Sequence, residues 1–192
     1  MSRAPQPTFL DARSDDELML AAAPGERGAY ESLVRRHQRS VRAFCARWCG
    51  SSSAGDDVAQ ECFVEVWQRR ASYAPRGRFK AYLLHIAANR CKNHLRARAR
   101  ERLVSDHDGS EEAHGADGRI SDSYVAQRGD RLQEALDKLP ELQREAVLLR
   151  YGAELSYLEV AAALGVVEAT VRSRVFLGLM RLRRLLRVED RK

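Results

Sequence analysis

Residues 155–186, LSYLEVAAALGVVEATVRSRVFLGLMRLRRLL, contain two helical patterns separated by a glycine. Ser156 and Glu159 form a capping box, which predicts the start of the first helix. Gly165 can adopt the left-handed conformation that ends this helix, and the second pattern runs from about residue 167 to residue 187. The stretch therefore predicts a helix-turn-helix, a corner that many helical proteins also contain without touching DNA.

The second of these helices carries side chains of three kinds. Its early residues are suited to a major groove, because recognition helices contact base edges from their N-terminal part; they are Glu168, Ala169, Thr170, Arg172, Ser173 and Arg174. The predicted buried stripe consists of Val171, Val175, Leu179, Leu182 and Leu186. Three large apolar residues, Phe176, Leu177 and Met180, fall on another side, among arginines. We expect Phe176 to reach at most a thymine methyl group, and Leu177 and Met180 to pack within the domain or against a partner.

The rest of the sequence also has helical patterns and no strand pattern. Residues 14–17, SDDE, form another capping box, the segment GSSSAGDD at 50–57 predicts a break, and a third helix is expected from about 56 to 70. Residues 104–123 contain six acids, three glycines and one arginine, a composition typical of a linker. The sequence predicts an all-α protein with two small helical domains, 12–103 and 124–188, joined by a flexible acidic linker over 104–123, the second domain containing the helix-turn-helix.

Charge is concentrated in two segments. The formal net charge is +6, and residues 80–102 hold seven basic side chains against one acid, while residues 172–187 hold six arginines and no acid. Such clusters favour a polyanionic partner. No signal-peptide pattern or membrane-spanning apolar run is present, so we expect a cytoplasmic protein without membrane insertion.

A fourth predicted helix, beginning near residue 79, has two faces. Its apolar face comprises Leu83, Leu84, Ala87, Cys91, His94 and Leu95, and its polar face includes Tyr82, His85, Asn89, Lys92, Asn93, Arg96 and Arg100. Side chains of these kinds can bind nucleic acid: cations bind phosphates, amides hydrogen-bond to base edges, and an aromatic ring stacks on an unpaired base. The polar face fits nucleic acid, but an ordinary solvated basic face explains it about equally well.

The four cysteines, Cys45, Cys49, Cys62 and Cys91, admit two interpretations. Their spacing allows a zinc or redox site to be drawn, whereas their position on or beside apolar stripes favours core packing. We expect core packing by reduced thiols. The sequence has no phosphate loop, metal motif or catalytic arrangement, so we expect no enzyme activity, cofactor or metal.

Three ordered motifs resemble those of the extracytoplasmic-function group of bacterial sigma factors. They are DDVAQECFVEVWQRR at 56–70, RFKAYLLHIAANRCKNHLRAR at 78–98, and LPELQREAVLLRYGAELSYLEVAAALGVVEATVRSR at 139–174. The resemblance implies that the first domain binds the clamp helices of the largest subunit of core RNA polymerase and opens and reads the minus-ten promoter element. It implies that the second domain contacts the polymerase flap and reads the minus-thirty-five element as duplex, and that the acidic linker threads through polymerase.

The resemblance assigns roles to individual residues. It assigns polymerase binding to Asp57, Gln60, Glu61, Val64 and Trp67. Asn89 and Asn93 match family positions that contact the flipped base of the minus-ten strand and its neighbours. Four further residues lie on the same face, namely Tyr82, His85, Lys92 and Arg96. The loop ASYAPRGRF corresponds to the family segment that surrounds the flipped base. Tyr82 stands where the family commonly has Trp. In the second domain Arg172, Ser173 and Arg174 match the family and Phe176 is acceptable, whereas Leu177 stands where the family often has Arg.

Two other kinds of DNA or RNA binder compete with this interpretation. A stand-alone helix-turn-helix repressor or activator would bind duplex promoter DNA tightly without polymerase, and an RNA-binding protein is a more distant alternative. The paired asparagines on a second basic domain favour the sigma factor, since a repressor does not need them. We also expect an anti-sigma protein as a partner, from the resemblance and from the apolar residues near the DNA-reading surface.

Overall fold

The computed structural model describes residues 12–105 and 123–189, with the backbone alone for 102–105, 123–128 and 188–189. Most of the expected linker lies outside the described residues. The helices are α1 (Asp15–Ala22), α2 (Arg27–Cys49), α3 (Ser52–Gln68), α4 (Phe79–Ser105), α5 (Ser123–Asp137), α6 (Glu141–Val147), α7 (Tyr157–Leu164) and α8 (Glu168–Glu189). Within the described ranges there is no strand, which confirms the all-α prediction, and no helix combines the length and apolarity needed to cross a bilayer.

The first domain packs α1 to α4 around one apolar core. The capping box at the start of α1 is confirmed: the Ser14 hydroxyl accepts from the Glu17 amide, and the Glu17 carboxylate accepts from the Ser14 amide at 2.7 Å. The core contains Leu33, Phe44 and Trp48 of α2, all at most 1% exposed, and apolar residues of α3 and α4 complete it. Burial of these side chains holds α4 in place, with one face inward.

The sequence predicted a break between helices over residues 50–57, but the structure has one only at residues 50–51, so most of this prediction is wrong. Helix α3 begins at Ser52, because the Ser51 hydroxyl caps it by accepting from the Ala54 amide. Gly55, inside the helix, faces α2 so closely that a Cβ atom there would lie 2.4 Å from the Ala46 nitrogen. The glycine permits a close helix crossing rather than a loop.

The second domain contains the helix-turn-helix, formed by α7 and α8. Its capping box at Ser156 and Glu159 is present, and Gly165 ends α7 with a φ of 64°, as predicted. Between α6 and α7 the chain makes a π-helical turn at Leu148–Gly152. These features fix the angle at which α8 leaves the turn.

The predicted stripe of α8 is wrong at one position. Val171, Val175 and Leu182 are buried, but Leu179 is 39% exposed. Gly178 takes the inward position, and a Cβ atom there would lie 2.7 Å from a methyl carbon of Val147 on α6. The close approach of α6 and α8 requires a residue without a side chain, which an apolar pattern does not reveal.

The close crossing of α2 and α3 leads to a stability prediction. Gly55→Ala places a methyl group against Ala46 backbone atoms, which cannot move aside as a flexible side chain can. We expect the free energy of unfolding to fall by about 1–3 kcal/mol, the usual effect of overpacking. Denaturant unfolding followed by circular dichroism measures it, with Ser53→Ala on the exposed start of α3 as control. Equal stability of the two variants would contradict the packing described.

Candidate nucleic-acid and polymerase interfaces

The polar face of α4 borders a groove of about 500 Å³ in the first domain. The groove joins the amides predicted to read bases with several cations; it is lined by Glu65, Arg69, Ile86, Asn89, Arg90, Lys92, Asn93 and Arg96. Asn93 is exposed and Asn89 is half-buried. Arg69 and Arg90 were not among the predicted site residues, because Arg69 follows α3 and Arg90 is not among the residues of the polar face predicted for α4. Both pair with Glu65, at 2.8 Å and 2.5 Å.

A hydrogen-bonded chain connects this face to the second domain. The Asn89 amide nitrogen lies 3.0 Å from Nε2 of His85, and Nδ1 of the same ring donates to the carbonyl of Ala163 in α7. Because a carbonyl only accepts, a neutral His85 ring carries its hydrogen on Nδ1, and Nε2 accepts from Asn89. The Ala163 carbonyl belongs to the last turn of α7, where carbonyls lack helical partners. His85 thus supplies a hydrogen-bond donor to a carbonyl at the end of a helix of the second domain.

Two ion pairs join the same face to α6. Lys92 Nζ lies 2.8 Å from Oε1 of Glu145, whose side chain is only 5% exposed, and Arg96 lies 3.0 Å from Glu141. Sequence reasoning found neither glutamate, since their acidic side chains gave no sign of an interdomain role. His85, Lys92 and Arg96 were expected to be open to solvent, and in the structure all three contact the second domain.

The loop before α4 forms a second cavity, of about 480 Å³, beside Tyr82. Asp16 fixes this loop: its carboxylate accepts from the Tyr73 hydroxyl and from the Gly77 amide, both at 2.6 Å. Tyr82 packs against Tyr73 at 5.2 Å between ring centroids, and burial raises the pKa of Tyr82, which keeps the ring neutral. Arginines of the loop and the end of α7 complete the lining, namely Arg76, Arg78, Ala162, Ala163, Leu164 and Gly165.

The outer surface of α8 is open to solvent, in contrast to the face of α4. Arg172 pairs with Glu168 at 2.5 Å, and its guanidinium carbon lies 4.4 Å from the centroid of the Tyr157 ring. Ala169 and Ser173 are exposed, and Thr170 and Arg174 are half-buried. Phe176 is 63% exposed. The predicted groove-contacting residues therefore share one accessible surface near the start of the helix.

The residues predicted to bind polymerase lie along one side of α3. Asp57, Gln60 and Glu61 are exposed, and Val64 is 55% exposed. Trp67 is half-buried, because its ring packs against Tyr30 at 5.0 Å and against the Arg70 guanidinium at 4.1 Å. This side of α3 offers an apolar centre with acidic neighbours.

The cysteine prediction is confirmed as far as packing is concerned. All four thiols are free and buried in the first domain. In the described part of the chain, no group of three or more His, Cys, Asp or Glu side chains is arranged to hold a metal ion.

A basic helix with paired amides in one helical domain and a helix-turn-helix in the other are features typical of a DNA-binding protein. Residues 33–101 match the family model of sigma-70 region 2, and residues 129–182 match that of sigma-70 region 4. The chain belongs to the extracytoplasmic-function group of the sigma-70 family, the sigma factors of bacterial RNA polymerase.

Relatives and solved structures agree with this assignment. The sigma-E factor of Escherichia coli K12 is 33% identical over 171 residues, covering 85% of this chain and 89% of its own. CnrH, solved with the cytosolic domain of CnrY, has a TM-score of 0.69 at 26% identity, covering 91% of this chain and 97% of its own. RpoE of Bartonella quintana, solved with the anti-sigma factor NepR, has a TM-score of 0.64 at 27% identity, covering 83% and 97%.

The Lys92–Glu145 pair leads to a prediction about the contact between the domains. Glu145→Gln removes the negative charge but keeps the shape of the side chain, so the Lys92 ammonium loses its charged partner. We expect acetylation of Lys92 by an activated ester to become at least about tenfold faster, since a charge-assisted hydrogen bond contributes roughly 1.5–3 kcal/mol. Mass spectrometry measures the rate. Glu134→Gln, at an exposed position of α5, is the matched control and should leave it unchanged.

Proposed function

We propose that this sigma factor directs core RNA polymerase to promoters by reading the minus-ten element as a melted strand and the minus-thirty-five element as duplex. The observation that carries the proposal is the groove on α4, where two amides and several cations lie on one face beside an aromatic cavity. Polymerase supplies the catalysis, and the chain acts with it in the cytoplasm. The proposed domain bounds remain 12–103 and 124–188.

Recognition of a melted minus-ten strand needs a place for an unstacked base. Proteins read such a base by hydrogen bonds to its edge and by stacking on a flat side chain. Asn89 and Asn93 would supply the hydrogen bonds, while Lys92, Arg96 and His85 would face the backbone. Tyr82 and the cavity of the 71–78 loop would hold the flipped base, and Arg76 and Arg78 would neutralise nearby phosphates.

Duplex recognition is assigned to the start of α8. Arginine makes bidentate contacts with guanine and also binds phosphates. Arg172 and Arg174 would supply such contacts, with Ser173 and the short side chains of Ala169 and Thr170 allowing the helix to enter the groove. Glu168 would accept from a cytosine amino group or hold Arg172, and Phe176 would lie at the margin against a thymine methyl.

Polymerase binding is assigned to the outer side of α3. Val64 is an exposed apolar residue at the middle of the helix, and such residues anchor protein interfaces when polar neighbours surround them. Asp57, Gln60 and Glu61 would form the polar surroundings, and Trp67 the far edge. The clamp helices of the largest subunit are the proposed partner for this side, and the flap is the partner for the second domain.

The proposed function requires the two domains to separate. His85 Nδ1, Lys92 Nζ and one guanidinium nitrogen of Arg96 are engaged with the second domain, so all their donors are free for a DNA strand only after separation. The start of α8 is accessible without separation. We therefore infer that polymerase binding opens the chain before the minus-ten strand is read.

An anti-sigma factor is proposed as a regulator. RpoE of Bartonella quintana was solved in complex with one, NepR. On this chain the exposed apolar residues Phe176, Leu177 and Met180, which are 63%, 47% and 51% exposed, are suited to contact such a protein. Co-purification of a partner that requires these residues tests this assignment, and its absence under every growth condition would count against it.

Run-off transcription with purified core polymerase over a genomic library tests the function directly. We expect new start sites that depend on the added chain and share two sequence elements. The isolated chain should not bind these promoters tightly, because His85, Lys92 and Arg96 of the minus-ten face are bonded to the second domain. Tight, sequence-specific binding of duplex by the chain alone, without any initiation, would favour the stand-alone repressor.

Asn89→Ala separates promoter opening from polymerase binding. Loss of a base-edge hydrogen bond costs about 1–3 kcal/mol, so we expect promoter melting, followed by permanganate reactivity, to fall roughly tenfold. Affinity for core polymerase should change less than about twofold, because α3 is untouched.

A matched variant should affect polymerase binding as well as promoter opening. Val64→Asp places a charge in the proposed polymerase-binding surface, and we expect it to weaken polymerase affinity and melting in parallel. A parallel loss in Asn89→Ala would contradict the role given to Asn89 and would indicate damage to the fold.

A further inference from the structure

Arg172, near the start of α8, is held by two neighbouring side chains in the free chain. Its Nε and Nη2 nitrogens donate to one carboxylate oxygen of Glu168, at 3.0 Å and 2.5 Å. Its guanidinium carbon lies 4.4 Å from the centroid of the Tyr157 ring, on the preceding helix α7. The Arg172 side chain is still 60% exposed. Ordering an arginine costs side-chain entropy, and these contacts order it before any partner binds.

The ring of Tyr157 is itself fixed in position. Tyr157 is the first residue of α7, directly after the N-cap of the capping box formed by Ser156 and Glu159. Its side chain is half-buried and packs against the apolar core. The guanidinium carbon of Arg150 also lies over this ring, at 5.1 Å, and Arg150 donates to the Leu155 carbonyl at 3.2 Å. The ring is therefore a rigid support for a second arginine.

The two contacts leave one edge of the Arg172 guanidinium available. A guanidinium has five N–H donors in one plane. Glu168 accepts from the side edge, which is formed by Nε and Nη2, and the Tyr157 ring covers one face of the group. The end edge, formed by Nη1 and Nη2, keeps one outward N–H on each nitrogen. Arg172 therefore offers two parallel donors in a fixed orientation.

We propose that Tyr157 is a positioning residue, which together with Glu168 presents the end edge of Arg172 to a guanine of the minus-thirty-five element. Guanine has two adjacent acceptors in the major groove, O6 and N7, which match two parallel donors. Adenine and cytosine each place an amino donor there, and thymine has a single acceptor. Glu168 thus acts on Arg172 and not on a base. The DNA partner rests on the proposed function, whereas the arrangement of the three side chains does not.

Nuclear magnetic resonance of the full chain tests the arrangement without polymerase or DNA. Protons that lie over an aromatic ring are shifted upfield, and Arg172→Lys identifies the signals of Arg172 by their loss. We expect these signals upfield in the native chain and in Tyr157→Phe, and at ordinary values in Tyr157→Leu. Tyr151→Leu is the matched control and should leave them unchanged, because the Tyr151 ring lies under Arg150, at 5.2 Å. Ordinary shifts in the native chain would overturn the proposal.

Transcription by the chain with core polymerase tests the consequence for base reading. Each position of the minus-thirty-five element of a promoter found by run-off transcription is replaced by each of the other bases. We expect Arg172→Lys to lower the preference for guanine at one position about tenfold, since lysine cannot make the bidentate contact. Tyr157→Leu should lower the preference at that same position about threefold, the contribution of a cation–π contact. Preferences at other positions should change less than about twofold.

Two further variants separate positioning from other roles of the tyrosine. Tyr157→Phe should retain the guanine preference, because the ring and not the hydroxyl contacts Arg172. If the hydroxyl instead bound a phosphate, Tyr157→Phe would weaken initiation equally for all sequences, and that result would overturn the proposal. If Tyr157→Leu does not fold, Glu168→Ala decides, since it removes the other contact without touching the core. It should lower the same preference about threefold, and an unchanged preference would overturn the proposal.

The two measurements separate this inference from the proposed function. A native chain that initiates, but loses no guanine preference in Arg172→Lys or Tyr157→Leu, would overturn the inference and leave the proposed function intact. Failure of the native chain to initiate at any promoter would contradict the proposed function and the guanine contact with it. The upfield shift of the Arg172 signals would then still establish that Tyr157 holds the arginine.

Discussion

The polar face of α4 is hydrogen-bonded and ion-paired to the second domain, and this contact decides which of its side chains the free chain can offer to a partner. Asn89 bonds to His85, His85 bonds to the end of α7, and Lys92 pairs with the nearly buried Glu145. Deleting one member of such a pair would leave an unpaired buried charge at a cost of about 3–5 kcal/mol. Separating the domains returns both charges to water, so neither is left buried without a partner. The contact therefore holds the domains together and still allows them to part, as interdomain interfaces of polar character generally do.

This contact divides the functional surfaces into two groups. The start of α8 and the outer side of α3 are accessible while the domains are together, with Phe176 and Val64 both more than half exposed. On the face of α4, Asn93 is exposed, whereas His85, Lys92 and Arg96 are bonded to the second domain and are released only when the domains separate. Under the proposed function, polymerase and duplex DNA can be approached first, and the melted strand is read only by a chain that has opened.

Local features of the fold could be predicted because their determinants lie within a few residues of one another. Both capping boxes and the glycine that ends α7 follow from short patterns, and the structure has them where the sequence predicts them. The errors arise where two helices approach closely. Gly55 was interpreted as part of a loop, and Leu179 was expected inside where Gly178 is found, since a periodic pattern does not say how near a neighbouring helix lies.

The contact between the domains could not be predicted for a related reason. Its partners are 78 residues apart for His85 and Ala163 and 53 apart for Lys92 and Glu145. A polar helix face has the same pattern whether it meets water, DNA or another domain. The motifs predicted which side chains share the face of α4, and only the tertiary structure gives the partner they have in the free chain.

The most direct measurement is the distance between the domains in the free and the polymerase-bound chain. Fluorophores introduced through non-canonical residues at Arg39 of α2 and Leu158 of α7, both exposed, would report it by energy transfer. We predict efficient transfer in the free chain and a clear fall when core polymerase binds, before promoter DNA is added. Unchanged transfer in a polymerase complex that still opens promoters would contradict it, because the face of α4 would then read DNA while bound to the second domain.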